Sequence, residues 1–359
     1  MEFGIQFFPD VSPEQKSGKQ YFEEALYLVS LCDELDYTHV RIVEHYFHPY
    51  GGYSPNPIIF LTAACQHTKN ARMVTGAVLP AFNNPLKLAG EIAMLDAISG
   101  GRLEVGFARA FLPNEFAQFG VSLNESKARF AEGIQQVRSL LEEENVTAEG
   151  QFHSFKNVTS FPRPTQQPRP PFWIAALATP SSFISAGEQG YGIMAIPLAG
   201  GKMAELIGLY REAWKSAGHP GTGRVMLAFH MFCARTQQEA IAISREPINN
   251  HLKCLVDAAS DWTSGISSAD YPNYDQIIAD LEKETFESQV EKGAGWIGTP
   301  QEVREAISDY YHQVGGFDIA SMQINFNTLP VEATEASIRL FAKEVMPKFS
   351  DQEVISNKH

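Results

Sequence analysis

Two patterns of apolar residues alternate along the chain. Short runs of strand length are separated by longer stretches whose apolar residues recur at the spacing of one helix face. The short runs are apolar at nearly every position, which is typical of strands buried on both faces of a parallel sheet. The predicted strands are residues 3–8, 39–43, 72–79, 103–108, 172–176, 191–196, 225–233 and 319–326.

The stretches between these runs predict helices. Asn84 with Pro85 begins one of them, and Thr299 with Pro300 begins another, since Asn and Thr cap helices and Pro suits the first turn. The predicted helices are residues 21–35, 57–68, 85–98, 127–143, 181–189, 201–217, 237–258, 300–314 and 334–345.

This alternation predicts an α/β fold. Strands that alternate with helices form a parallel sheet with right-handed connections, and eight such units close a (β/α)8 TIM barrel. A doubly wound open sheet has the same alternation and remains the alternative. Because no internal repeat or low-complexity tract divides the chain, we predict a single domain over residues 1–359.

Two segments interrupt the alternation. Residues 146–171 end in a proline-rich run, 161–171, which predicts an extended connection over the surface. Residues 259–298, with a helix near 274–292, form a long insertion between the seventh and eighth predicted strands. In a barrel this insertion would lie at the carboxyl end, where active sites form, so it is either a lid or a plain surface excursion.

Charge and cysteine content restrict the possible partners and location. The 28 basic and 42 acidic residues give a formal net charge of −14, which makes nucleic acid and anionic membrane surfaces poor partners. The four cysteines occur singly and without zinc spacing, which favours reduced thiols in the cytoplasm. We also expect no signal peptide and no membrane span, because neither apolar pattern occurs.

Common catalytic motifs do not account for the sequence. Gly293, Gly295 and Gly298 have the spacing of a dinucleotide fingerprint, but no strand precedes them and no acidic residue follows in a βαβ unit. The chain also lacks a Walker A loop, an HExxH zinc motif and a GxSxG nucleophile elbow.

Polar residues follow the second predicted strand. Glu44 and His45 lie at the end of this strand, where they suit acid–base catalysis or hydrogen bonding to a ligand. His45 as a purely structural histidine is the alternative. His48 is predicted on the loop surface, and a metal site built on these two histidines lacks a third ligand, so we predict no metal.

Cations follow the fourth predicted strand. Arg109 stands where this apolar strand meets its loop, and a phosphate group is a suitable anionic partner for it. A buried ion pair with Glu115 or Glu132 is the alternative. Lys127 and Arg129, at the start of the next predicted helix, can add to the same cluster.

The third and fifth strands carry two further candidate features. Thr179, Ser181 and Ser182 open a helix, where hydroxyls and free backbone N–H groups can bind an anion or simply cap the helix. Small residues at Thr75 and Gly76 allow a flat ring to approach the backbone, with tight barrel packing as the alternative.

Taken together, these segments resemble the bacterial-luciferase-like flavin-dependent monooxygenases over nearly the whole chain. The matching segments are Glu44-His45-Tyr-Phe-His with Pro49-Tyr-Gly-Gly, Thr75-Gly-Ala-Val-Leu-Pro80, Asp96-x-x-Ser99-Gly-Gly-Arg-Leu103, Gly106-x-x-Arg109, Asn114-Glu-Phe-x-x-Phe-Gly120, Gly298-Thr-Pro300 and the C-terminal stretch from Ser337 to Pro347.

The resemblance implies an activity and its partners. It implies FMN at the carboxyl end of the barrel, reduced by a separate NAD(P)H flavin reductase. Oxygen would add at flavin C4a, and the C4a-(hydro)peroxyflavin would oxygenate a small hydrophobic organic substrate such as an aldehyde. An F420-dependent hydride-transfer oxidoreductase of the same superfamily and a non-catalytic flavin-binding protein are the alternatives.

The resemblance also implies roles for individual residues. His45 matches the catalytic histidine, and Glu44 precedes it. The implied cofactor-binding residues are Arg109 with Lys127 or Arg129 for the phosphate, Ala176, Leu177, Thr179, Ser181 and Ser182 as its cradle, Phe111 beside Arg109, and Thr75 with Gly76 at a non-prolyl cis peptide under the ring.

Two residues of the chain differ from luciferase, and the family also suggests how the chain assembles. Ala108 replaces a reactive cysteine and Tyr46 replaces a second histidine of luciferase, which weakens light emission as an expectation and leaves oxygenation open. The insertion 259–298 corresponds to a mobile loop. Members commonly dimerise through the helices near strands two and three, so we predict a homodimer through residues 57–68 and 85–98.

Overall fold

The structure is a computed structural model that describes residues 1–349. Eight parallel strands pair in the order β1-β2-β3-β4-β7-β8-β9-β11, and β11 pairs back with β1, so the sheet closes into a barrel. The predicted barrel is therefore confirmed and the open sheet is excluded. The strands are β1 (Glu2–Phe7), β2 (His39–Ile42), β3 (Arg72–Val78), β4 (Leu103–Ala108), β5 (Val146–Glu149), β6 (Ser154–Val158), β7 (Phe172–Ala176), β8 (Gly192–Ala195), β9 (Val225–Cys233), β10 (Gly295–Gly298) and β11 (Ile319–Asn325).

Helices surround the barrel where the pattern predicts them. Asn56, Asn84 and Thr299 accept hydrogen bonds from the first-turn N–H groups of α2, α3 and α11, each of which has proline in its first turn. The helices are α1 (Gly18–Ser30), α2 (Pro57–Ala64), α3 (Pro85–Ile98), α4 (Pro113–Gln118), α5 (Ser126–Glu142), α6 (Pro180–Glu188), α7 (Gly200–Ser216), α8 (Gln237–Ala259), α9 (Tyr274–Leu281), α10 (Phe286–Glu291), α11 (Pro300–Gln313) and α12 (Val331–Glu344).

Five short elements, β5, β6, α9, α10 and β10, differ from the prediction. Residues 146–158 form the antiparallel hairpin β5–β6, and only the following proline-rich run is extended. The hairpin is mostly exposed, so it lacks the apolar run that marks the barrel strands. The single helix predicted near 274–292 is two helices, α9 and α10. The additional strand β10 pairs with residues 230–233 of β9, past the residues 225–227 that pair with β8.

The insertion packs over the carboxyl end of the barrel. Its aromatic residues Trp262, Tyr271 and Tyr274 lie in one apolar cluster with Phe8 and Leu79, which follow β1 and β3. The insertion therefore covers the end of the barrel where the strands deliver their loops. In residues 1–349, no helix has the length and apolar character needed to cross a membrane.

The barrel interior changes character along its axis. At the amino end, Arg72 and Arg224 form ion pairs with Glu2 and Glu104. The middle is apolar, and its residues are Val74, Trp173, Met194, Met226 and Ile319. The barrel is thus a filled core up to its carboxyl end, and the remaining space lies beyond that middle layer.

Candidate active site at the carboxyl end of the barrel

His45 forms a buried pair with a carboxylate that the sequence pattern did not assign to it. The chain leaves β2 at Ile42, and His45 Nδ1 lies 3.1 Å from Glu115 Oε1 of α4. The same oxygen accepts a hydrogen bond from the Tyr46 amide at 2.8 Å. This partner favours a proton on Nδ1, and Nε2 makes no hydrogen bond within residues 1–349, so it is available to a ligand.

Glu44 has a different environment from His45. Its carboxyl group accepts hydrogen bonds from the Tyr46 hydroxyl (2.5 Å), Asn83 Nδ2 (3.1 Å) and the Leu79 amide (3.2 Å). Burial raises the pKa of Glu44 to about 8, although these donors oppose the shift. Glu44 therefore joins the loops that follow β2 and β3, and its role in acid–base catalysis stays a prediction.

Aromatic rings surround His45. The ring centroids of Tyr50, Phe8 and Phe111 lie 5.0, 5.7 and 6.0 Å from the imidazole. The carbonyl oxygen of Phe111 accepts a hydrogen bond from Trp262 Nε1 of the insertion, at 2.8 Å. The imidazole is thus flanked by aromatic rings, and the insertion is bonded to the backbone of one of them.

Arg109 faces the insertion. Its Nη1 donates to the carbonyl oxygen of Asp270 at 2.7 Å, and its guanidinium lies 4.3 Å from the ring centroid of Tyr271. Neither predicted alternative partner binds it, because Glu115 pairs with His45 and Glu132 accepts from the amides of residues 151–153. Arg109 forms no ion pair with any carboxylate in the part of the chain described.

The structure separates the two candidate second cations. The Asp270 carboxylate accepts from Ser126 Oγ (3.1 Å) and the Lys127 amide (2.9 Å) at the start of α5, and Lys127 Nζ lies 3.9 Å away. Arg129 instead pairs with Glu125 at 2.9 Å and lies over Phe152 of the hairpin segment. Lys127 and Arg109 therefore meet at Asp270, and Arg129 does not. We call Arg109, Lys127 and the α5 amino terminus the rim cation cluster.

The loop after β7 lies beside the loop that carries Arg109, because Ala108 of β4 pairs with Ala175 of β7. The predicted residues lie at the end of β7 (Ala176), in this loop (Leu177 and Thr179) and in the first turn of α6 (Ser181 and Ser182). Thr179 precedes α6 but makes no side-chain cap, so the first amides of α6 have no side-chain acceptor. Free amides and hydroxyls at a helix start suit an anion.

Thr75 and Gly76 have separate roles in β3. Thr75 Oγ1 exchanges hydrogen bonds with Gly106 of β4 and is buried. The non-prolyl cis peptide joins Gly76 and Ala77, so its predicted position at Thr75–Gly76 was wrong by one bond. The pairing of β3 with β4 is irregular between Thr75 and Val78, a tertiary feature that small residues in a strand do not locate.

A second histidine–carboxylate pair was not found from the sequence. His251 Nδ1 of α8 lies 3.1 Å from Asp10 Oδ2, and Asp10 Oδ1 accepts from the Asn327 amide at 2.7 Å. Asp10 follows β1 and Asn327 follows β11, so the pair lies across the barrel from the loops after β4 and β7. Nothing in the spacing of helix α8 distinguishes His251, and only the fold brings it to the barrel mouth.

Comparison with known proteins agrees with this geometry. The family model of luciferase-like monooxygenases matches residues 1–317. The chain belongs to the luciferase-like monooxygenase family. The predicted resemblance and the predicted oxygenase class are therefore confirmed.

Relatives of this luciferase-like monooxygenase include solved structures. Monooxygenase RslO1 from Streptomyces bottropensis is 42% identical, with a TM-score of 0.88, and the match covers 98% of this chain and 100% of that one. The oxygenase component of a flavin-dependent trigonelline monooxygenase from Acinetobacter baylyi is 28% identical over 99% of this chain and 97% of its own. The oxygenating constituent of 3,6-diketocamphane monooxygenase from Pseudomonas putida, in complex with FMN, shares the fold at 23% identity and a TM-score of 0.81, with coverage of 97% and 98%.

The residues of this luciferase-like monooxygenase fit a phosphorylated flavin. The rim cation cluster already holds one carboxylate, that of Asp270, so its donor set suits an anionic group. Within this cluster Arg109 has no carboxylate partner among the described residues, and the uncapped start of α6 supplies further donors outside the cluster. The phosphate of a flavin cofactor would therefore find suitable donors at this rim.

Proposed function

We propose that this protein is the oxygenase of a two-component, FMN-dependent monooxygenase. It would use oxygen and reduced FMN, delivered by a separate NAD(P)H flavin reductase in the cytoplasm, to oxygenate a small hydrophobic organic molecule. The observation that carries the proposal is the rim cation cluster beside the His45–Glu115 pair within one apolar mouth. The oxygenase-component name of the Acinetobacter relative and the FMN in the Pseudomonas structure support it.

The residues divide the work between binding and chemistry. Arg109, Lys127 and the start of α6 would hold the phosphate, and reduced FMN, when bound, supplies the activation of oxygen. Glu115 keeps the His45 ring in one orientation, so Nε2 can take or hold a proton near the substrate. Phe8, Tyr50 and Phe111 exclude water from that proton.

The insertion would act as a lid in this proposal. Asp270 and Tyr271 of the insertion contact Arg109, and Asp270 also accepts from the Lys127 amide. A phosphate that binds at the rim must therefore replace the Asp270 carboxylate. Trp262 and Tyr274 keep the insertion packed over the mouth through apolar contacts that need no charge. Closure and phosphate binding are thereby coupled at one residue.

The proposal includes a homodimer through α2 and α3. Each of these two helices has apolar residues on both its inner and its outer side. Ile58 and Ile92 are buried against the barrel, whereas Ile59 and Met94 are 71% and 57% exposed. Two adjacent helices with large exposed apolar side chains favour a second copy as partner. Light scattering of the purified protein should give twice the chain mass, and a monomer at micromolar concentration would remove this part of the proposal.

The experiment that tests the function mixes anaerobic protein with reduced FMN and then with oxygen, while ring absorbance is followed by stopped flow. We expect the oxidised absorbance to return more slowly than with free reduced FMN and through a distinct transient. Riboflavin, which lacks the phosphate, is the control and should behave as the free flavin. Return at the free rate with FMN would contradict the proposal, and binding of F420 in place of FMN would support hydride transfer instead.

A further inference from the structure

Arg41 is a buried cation without a counter-charge. It lies on β2 with 7% of its surface exposed, donates from Nη1 to Gln6 Oε1, and donates from Nη2 to the Gly76 carbonyl at 3.1 Å. Nε is buried without a hydrogen-bond partner, and no carboxylate in residues 1–349 pairs with the guanidinium. Two of its five N–H donors are thus used, both on neutral groups.

Such an arrangement is unfavourable on its own. A charge taken out of water costs several kcal/mol unless an opposite charge or further hydrogen bonds compensate it. Burial accordingly lowers the pKa of Arg41 to about 10, which still leaves the guanidinium charged at neutral pH. The two partly exposed arginines at the amino end of the barrel, Arg72 and Arg224, have carboxylates beside them. Arg41 is therefore suited to an anion that the chain itself does not supply.

Arg41 lies at the bottom of the barrel mouth, in the layer of inward-facing residues directly above the apolar middle, which we call the floor. Trp173 and Met226 face the apolar middle of the barrel, and two residues further along the same strands stand Ala175 and Ala228, which are partly exposed although they face inward. The partial exposure of these two small side chains indicates that the interior above the middle layer is not filled on this side. On the opposite strands the corresponding floor residues are larger, polar and buried: Gln6, Arg41 and Gln323.

The floor therefore has two unlike halves. The alanine half offers small apolar side chains, and the polar half offers amides and one cation. Gly76 allows the Arg41 side chain to lie against the backbone of the cis peptide, since a Cβ at this position would clash with Arg41 Nε. A planar group with one apolar edge and one hydrogen-bonding, anionic edge fits this floor.

We propose that Arg41 is the counter-charge for the deprotonated ring of reduced flavin. This inference rests on the proposed function, because the reduced ring is the part of FMN, apart from its phosphate, that can carry a negative charge. The rim cation cluster serves the phosphate, and Arg41 serves the ring. Its effect is to keep the bound reduced ring anionic at lower pH than in solution.

Other titratable groups near this floor do not supply that charge. Burial holds the pKa of His39, below Arg41 on β2, and of His230, on β9, well below its usual value, so both are neutral. His251 faces Asp10 and Gln323, and its carboxylate partner offsets any proton that it carries. Arg41 is thus the permanent cation of the floor residues described.

The test is an anaerobic pH titration of the absorbance of bound reduced FMN, which needs no turnover. Compared with wild type, Arg41→Gln should raise the pKa of the bound ring by about one unit or more, because an opposite charge nearby shifts a pKa by about 1–3 units. Arg41→Lys should stay near wild type. The midpoint potential of bound FMN should fall in Arg41→Gln at a pH above the ring pKa.

Gln6→Glu keeps the packing and tests the same idea without removing Arg41. The new carboxylate meets Arg41 Nη1, neutralises the floor and should also raise the ring pKa. Arg102→Gln, which removes an arginine bonded to Thr68 and Ala71 at the amino end of β4, controls for general loss of stability and should leave the ring pKa unchanged. Equal ring pKa values in wild type, Arg41→Gln and Gln6→Glu would overturn the inference, whereas failure of the wild type to bind reduced FMN would instead reject the proposed function.

Discussion

The rim and the floor of the barrel mouth treat positive charge in opposite ways. At the rim, Arg109 and Lys127 are partly exposed and the chain's own Asp270 lies between them. At the floor, Arg41 is buried and contacts only the neutral oxygens of Gln6 and Gly76. Water and salt screen the rim charges, whereas the floor charge acts in a medium of low dielectric.

This difference indicates two kinds of ligand recognition. A site that already holds an internal anion binds an external one by exchange, so its affinity depends on the group that is displaced. A buried cation without a partner has no internal anion for a ligand to displace. Its main effect is to lower the pKa of an acidic group on the ligand that binds beside it. The rim should therefore control affinity and the floor should control electronic properties.

The largest effect is expected at His45, which belongs to neither cation site. His45→Ala should bind reduced FMN normally but lose about 10²–10⁴-fold in single-turnover product formation with the substrate found by screening, because a positioned proton acceptor is removed. Glu115→Gln, which keeps the hydrogen-bond geometry of the pair, should lose less. Unchanged product formation in His45→Ala would exclude His45 from the chemistry.

The next effect tests the rim. Arg109→Ala should raise the dissociation constant of FMN tenfold or more, since hydrogen bonds to charged groups contribute about 1.5–3 kcal/mol. The dissociation constant of riboflavin should not change, which is measured by fluorescence quenching in parallel. Lys127→Ala should weaken FMN binding less, because its ammonium is more exposed, and Arg129→Ala is the matched control with no expected effect. An effect at Arg129 equal to that at Lys127 would contradict the rim assignment.

A smaller effect of opposite sign is expected at Asp270. Asp270→Asn removes the negative charge that the phosphate must displace, so FMN should bind a few-fold more tightly, whereas riboflavin binding should be unaffected. Isothermal titration with FMN and with inorganic phosphate measures both arms. Weaker FMN binding would mean that Asp270 assists the phosphate rather than competing with it.

The smallest effect concerns the stability of the loops between rim and floor. The pKa of Glu44 is raised to about 8 in the folded chain, from an ordinary value of 4.5. Between these pH values the folded state holds a proton that the unfolded state has lost, so stability should decrease as pH rises through this window. Glu44→Gln should reduce that decrease, as measured by Tm at pH 5 and pH 8. The same slope in both proteins would show that Glu44 titrates normally.

Local pattern determined the barrel. Each of its strands is buried on both faces, so each appears in the sequence as a nearly continuous apolar run, and proline after Asn84 or Thr299 marks helix starts without tertiary information. Residues at the ends of those runs, His45 and Arg109, were correctly expected at the mouth because parallel strands deliver their carboxyl ends to one side.

Tertiary structure alone decided which charges meet. Lys127 and Arg129 lie two positions apart in one helix and look alike in the sequence, yet one faces Asp270 and the other the hairpin. Asp270 is far from Arg109 along the chain, and Arg41 appears in the sequence only as a polar interruption of an apolar strand. The spacing of buried apolar residues is visible within a short stretch of sequence, so it predicts helices and strands. The partner of a charged side chain depends on contacts between distant segments, and only the closed barrel brings those segments together.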